Sequence, residues 1–136
     1  MLDENDVTTA VSNHLKSQGY VILQQCTTNN RGIDIIAKPP SGSGNLLIEA
    51  KGAKSSKPGS PRYGEDYRKP EVFDRVAKGV YTATAMYANR QNGDQIGLAC
   101  PDTAWFLEYL QPVKSVLKSL GIEVFMVRPN LSVYTL

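Results

Sequence analysis

Apolar residues recur every four positions near the start of the chain, at Val7, Val11 and Leu15 with Ala10 beside them, which predicts an amphipathic helix over residues 4 to 18. Asp3 is placed to cap its first turn, with Asp6 three residues on. Acids there suit the positive end of the helix dipole, and Gly19 supplies the stop. The period then changes. "YVILQQ" (20 to 25), "GIDIIAK" (32 to 38) and "NLLIEAK" (45 to 51) read as strands, the last two paired across a Pro/Gly/Ser loop. A second helix is expected from Glu71 to Asn89, opened by Pro70. Its period is carried by Phe73, Val76, Ala77, Val80, Tyr81, Thr84 and Tyr87. "QIGLAC" (95 to 100) reads as a short buried strand. A third helix starts near Asp102 or Thr103, is kinked or divided by Pro112 and stops at Gly121. Its inner face is read as Trp105, Phe106, Tyr109, Leu110, Val113, Val116, Leu117 and Leu120. "IEVFMVR" (122 to 128) is a further strand, and "LSVYTL" (131 to 136) adds an edge strand.

That order predicts an α/β three-layer sandwich, a central mixed sheet with helices packed on its faces. A length of 136 residues suits one domain spanning 1 to 136. No apolar run approaches the ~18 residues that span a membrane, and the acidic start "MLDEND" lacks the features of a signal peptide. A cytoplasmic protein is expected. Cys26 and Cys100 are far apart and read as buried thiols rather than a disulfide or a metal knuckle. His14, the single histidine, lies near the apolar side of the first helix and reads as structural.

Net charge is only +2, but it is unevenly spread. The stretch "KGAKSSKPGSPRYGEDYRK" (51 to 69) holds six Lys/Arg and two Asp/Glu. With little hydrophobic content it reads as a long, mobile loop. Beside an anionic ligand, Lys54, Lys57, Arg62, Arg68 and Lys69 would attract phosphates. Tyr63 and Tyr67 offer either stacking for bases or packing for the loop.

Three charged side chains stand where strand residues should pack. Alternation puts Glu49 and Lys51 on one face with Leu47, and Asp34 on one face with Ile36. Asp34 and Glu49 are equidistant from the centre of the loop, between Ser41 and Gly42, so a symmetric hairpin makes them direct cross-strand partners. Like charges so placed destabilise a sheet unless a shared proton, Lys51 or a divalent cation offsets the repulsion. The carbonyl of Ala50 lies on the same strand as a further cation ligand. A lysine beside a bound water helps deprotonate or position it and stabilises charge on a phosphate. The plainer alternative is a surface Glu49–Lys51 ion pair beside an Asp34 that merely ends a strand.

"GIDIIA" followed by "LLIEAKG" resembles the PD-(D/E)XK nuclease superfamily, in its Mrr-like and Holliday-junction-resolvase-like branches. The resemblance implies the restriction endonuclease-like fold with its αβββαβ core, and Mg²⁺- or Mn²⁺-dependent cleavage of nucleic acid, DNA being the expected substrate. It implies that Asp34 and Glu49 bind metal and that Lys51 positions or activates water. Ile33 stands where the motif's name has proline. Relatives carry a glutamate on the first helix, at a position that falls here near Thr8 or Thr9; Glu4, on the stripe of Val7 and Val11, is the best substitute as a metal ligand. The glutamine that relatives often carry on the next helix is missing; Arg75 or Lys78 either contacts phosphate in its place or, on the plainer reading, is exposed helix charge. Target choice would then require a homodimer or a partner protein. The competing expectation is an inactive module of the same fold that binds nucleic acid or a protein.

Overall fold

The computed structural model describes residues 1–27 and 32–136. Six strands form one mixed sheet in the order of the chain: β1 (Val21–Gln25), β2 (Ile35–Lys38), β3 (Leu46–Ala50), β4 (Gln95–Pro101), β5 (Glu123–Val127) and β6 (Val133–Thr135). The pairs β1–β2, β2–β3 and β5–β6 are antiparallel; β3–β4 and β4–β5 are parallel. Parallel neighbours need long crossovers. The first runs through the basic loop and helix α2 (Lys69–Asn89), the second through α3 (Ala104–Leu110), a 3-10 turn (Gln111–Val113) and α4 (Lys114–Ser119).

Helix α1 (Glu4–Ser17) covers one face. Its Val7, Ala10, Val11 and Leu15 pack on Ile35, Ala37, Leu46, Ile48 and Ala50, the residues that the β2–β3 hairpin turns to that face. Helices α2 to α4 cover the other face, where Val72, Val76, Phe106, Leu110 and Leu117 meet Ile96, Leu98, Cys100, Val124 and Met126. The period-2 alternation of the strands sorts their residues between these two layers. This is the three-layer α/β sandwich expected, and among the described residues no helix is long and apolar enough to cross a membrane.

Local signals held at several points. Asp3 accepts from the Asp6 N–H and Asp6 accepts from the Asp3 N–H, at 2.8 and 2.9 Å, so both acids are committed to capping. Thr103 caps α3 through the Phe106 N–H. The third helix is divided at Pro112. His14 is half-buried, and both cysteines are buried, with no disulfide among the described residues.

Two helix faces are rotated from expectation. Trp105 and Val116 are not part of the inner face; they are 41% and 57% exposed. With α3 only seven residues long and separated from α4 by a 3-10 turn, one period does not run through both. Each short helix buries only what points straight at the sheet, Phe106 and Leu110 in one and Leu117 in the other. In α2 the buried stripe is Val72, Val76, Gly79 and Ala83, leaving Phe73 and Tyr81 exposed. The stripe includes a glycine, which a search for apolar side chains passes over. Strand β2 is also shorter than expected, so Asp34 sits at its mouth.

These phases set an expected contrast. Phe106→Ala should lower the stability measured by urea unfolding by about 3–5 kcal/mol, since a fully buried ring leaves a cavity. Trp105→Ala, one residue earlier, should cost much less.

Candidate functional site

The register of the β2–β3 hairpin pairs Ile35 with Ile48, Ile36 with Leu47 and Ala37 with Leu46. Continued by one position, it sets Asp34 opposite Glu49, as the symmetric hairpin predicts. Successive amides of an edge-directed strand point to opposite sides. The Lys51 N–H donates to the Ala99 carbonyl on β4 at 2.9 Å. The Ala50 N–H points the other way, where β2 has ended, and donates to Asp34 Oδ2 at 2.8 Å. The Asp34 carboxyl is also in hydrogen-bond contact with that of Glu49. Glu49 Oε1 lies 2.9 Å from Lys51 Nζ, with the two side chains only 13% and 12% exposed. The ion pair of the plainer alternative is therefore present, but it is largely buried and adjoined by a second carboxyl.

Two glycines that sequence reasoning left aside bring the rest together. A Cβ on Gly52 would collide with the backbone of Asp3 and Glu4. Its absence lets the first turn of α1 lie against the end of β3, and the Ala53 N–H bonds the Leu2 carbonyl there. Glu4 thereby enters the same electrostatic neighbourhood: burial raises its carboxyl above the usual range, Lys51 opposes the rise, and Glu49 adds to it. On the opposite wall, a Cβ on Gly79 would stand 2.9 Å from Leu98 Cδ1 and 3.2 Å from Lys51 Cγ. The lysine stem thus packs close against α2 where the missing Cβ leaves it room. A glycine inside a helix costs roughly 1 kcal/mol against alanine, which is the signal that a packing reason exists.

The electrostatics follow from this crowding. Burial, reinforced by the charges of Glu49 and Glu4 and opposed by the Ala50 N–H, pushes Asp34 up to about 7. Behind the site, burial drives the Cys100 thiol up to about 12, so it is no nucleophile at neutral pH. Among the described residues no three His, Cys, Asp or Glu side chains gather as a metal cage. The hard oxygen donors on offer are the carboxylates of Asp34 and Glu49, the Ala50 carbonyl in the strand between Glu49 and Lys51, and Glu4 nearby.

The basic loop is less open than its composition implied. Ser55 and Glu65, Gly64 and Ser55, and Tyr67 and Ala53 exchange backbone hydrogen bonds across it, and Lys54 bridges Asp66. These bonds fold the loop back on itself. Several of its cations already have acidic partners. Arg62 pairs with Glu65 and Glu71, Arg68 approaches Glu71 at 3.5 Å, and Lys69 lies 2.8 Å from Glu108. Lys54 and Lys57 make no ion pair among the described residues, and Lys57 is exposed.

Architecture and hairpin together define a mixed six-stranded sheet flanked by helices, consistent with a restriction endonuclease-like sandwich. No family model matches the chain, and no curated protein matches it. Two solved structures share the fold. An XisH family protein from Nostoc punctiforme PCC 73102 superposes with a TM-score of 0.54 at 16% identity, covering 95% of this chain and 96% of its own. An fdxN element excision controlling factor protein from Anabaena variabilis superposes with a TM-score of 0.54 at 15% identity, covering 96% of each chain.

Because the folded protein holds the Asp34 proton to about pH 7 while the unfolded chain releases it near 3.8, the unfolded state carries fewer protons between those values. Stability therefore falls as pH rises through that window. Asp34→Asn removes the penalty, and should stabilise the protein at pH 8 by about 2 kcal/mol after allowance for partial solvation, with a smaller effect at pH 4. Thermal unfolding of both proteins across that range checks the sign. Gly79→Ala should leave the melting temperature near that of the parent, helix propensity offsetting the crowding of Leu98. It should also expel the Lys51 stem, read by mass spectrometry as faster acetylation of Lys51 relative to exposed Lys118.

Proposed function

We propose that this chain is a metal-dependent nuclease domain that hydrolyses phosphodiester bonds of nucleic acid, with DNA as the substrate. The observation that carries the reading is the convergence of Asp34 and Glu49 at the mouth of the β2–β3 hairpin with the Lys51 ammonium beside them. The donor set fits Mg²⁺ or Mn²⁺: all of it is oxygen, and Mg²⁺ typically takes one or two carboxylates and leaves its other positions to water and substrate phosphate. Asp34, Glu49 and the Ala50 carbonyl would hold the ion, with Glu4 as a further carboxylate. When bound, such an ion neutralises charge on the phosphate and lowers the pKa of a water molecule.

The chain's own residues do the remaining work. Lys51 donates to an oxygen of the scissile phosphate and offsets the charge that grows there during attack. Gly79 fixes where its stem can run, and Glu49 holds the ammonium at this end of the sheet until a phosphate competes for it. Asp34 must give up its proton to serve as a ligand, so metal binding releases that proton and metal affinity should fall as the solution is made more acid. One structural relative is named as a factor controlling excision of the fdxN element, which is in keeping with a DNA substrate.

A second reading, an inactive module of the same fold, draws on the Glu49–Lys51 ion pair, which occupies both groups in the absence of ligand. Incubation of the protein with plasmid and labelled oligonucleotides in Mg²⁺, Mn²⁺ or EDTA separates the two. The nuclease requires metal-dependent cleavage that Lys51→Ala lowers by about 10²-fold or more. Binding without cleavage in either metal would transfer the assignment to the inactive module.

A further inference from the structure

Beside the acid cluster, between the basic loop and α2, lies a groove of about 460 Å³. Its lining includes Glu4, Ser55, Lys57, Ser60, Tyr67 and Arg75. Glu4 belongs both to this groove and to the neighbourhood of Glu49 and Lys51, so the two spaces adjoin.

Arg75 is the unusual member. Its Nε is shut off from solvent and has no hydrogen-bond partner among the described residues. A shielded guanidinium N–H without an acceptor is costly, and proteins rarely leave one so. The nearby acids do not meet the need. Glu71, one turn earlier on α2, is taken by Arg62 and by the Arg68 N–H, and Glu4 acts on Arg75 only through space. The guanidinium lies 5.0 Å over the ring of Tyr67. Stacking holds its face, and with Nε shielded the terminal amino groups are the donors it can offer a planar or tetrahedral oxyanion. The Ser55 and Ser60 hydroxyls, hydrogen-bonded to each other at 3.0 Å, keep one O–H to offer, and Lys57, in no ion pair among the described residues, adds an ammonium along the same groove.

We propose that this groove is a second phosphate seat, in which Arg75 binds the phosphodiester of a nucleotide flanking the one that is cleaved. The proposal rests on the nuclease reading and adds to it. It also reassigns the loop's charges: Arg62, expected from sequence to grip the backbone, builds the wall of the groove through Glu65, Glu71 and the Asp66 carbonyl, and Arg75 does the gripping. A phosphodiester would accept from the two terminal amino groups of Arg75, a fork that a guanidinium offers and an ammonium does not.

The test uses fluorescence anisotropy of a labelled duplex oligonucleotide titrated with full-length Lys51→Ala protein in Mg²⁺ at several salt concentrations, alongside a cleavage assay of the unsubstituted protein. Adding Arg75→Gln should weaken binding and reduce the steepness of log K against log salt by about 1, the loss of one phosphate contact. Ser60→Asp, which places a negative charge in the groove without touching the core, should weaken binding in the same direction and covers the case in which Arg75→Gln does not fold. An unchanged slope for Arg75→Gln, or unchanged binding for Ser60→Asp, overturns the seat while observed cleavage leaves the nuclease reading intact. If inorganic phosphate alone raises the melting temperature through Arg75 while the duplex slope stays the same, the groove takes a free anion and the proposal also falls. Absence of both binding and cleavage in the unsubstituted protein removes the two together.

Discussion

Two carboxyls held opposite each other on neighbouring strands repel, and the lower end of this sheet is organised around containing that repulsion. Asp34 and Glu49 meet because the hairpin is symmetric about its loop. Three devices hold them there. The Ala50 N–H, deprived of a ladder partner where β2 stops, bonds Asp34. Lys51 pairs with Glu49. A proton stays on Asp34 to about neutrality. Burial makes each of these stronger than it would be in water, and makes the loss of any one expensive. Such an arrangement is stabilised only conditionally, and a cation or a phosphate entering it finds partners already desolvated and aimed.

Much of this was legible before any coordinates. The alternation of the strands sorted Leu47, Glu49 and Lys51 onto one face, and residue counting across the loop paired Asp34 with Glu49. The caps of α1 followed from residue type, and assigning Asp3 and Asp6 to them left Glu4 as the first-helix acid with a free side chain. What escaped notice was carried by side chains that do not exist. Gly52 and Gly79 control how close α1 and α2 come to the end of β3, and a periodicity of apolar residues gives them no weight. Trp105, Val116, Phe73 and Tyr81 were misplaced for a related reason: aromatic and aliphatic character marks what a helix can bury, whereas short or glycine-containing helices bury by geometry.

The basic loop teaches a complementary lesson about charge. Six cations in one segment look like a surface waiting for an anion. In the folded chain several of them fasten the loop to itself, to α2 and to α3 through Glu65, Glu71 and Glu108. Exposed pairs of this kind contribute little stability individually, yet together they set the shape of the groove beside the acids. Local net charge therefore counts cations that the fold has already paired, and Arg75, the guanidinium of the proposed seat, lies outside the segment that composition singles out.

The seating of the first turn of α1 against Gly52 has a practical corollary for anyone handling the molecule. The amino group of Met1 comes within 3.8 Å of Asp66, and Leu2 is stitched to Ala53, immediately downstream of Lys51. A purification handle fused ahead of Met1 would emerge at the lip of the acid cluster, where its bulk would crowd the approach of a ligand to the carboxylates. The opposite terminus, beyond the edge strand β6, leaves that lip clear.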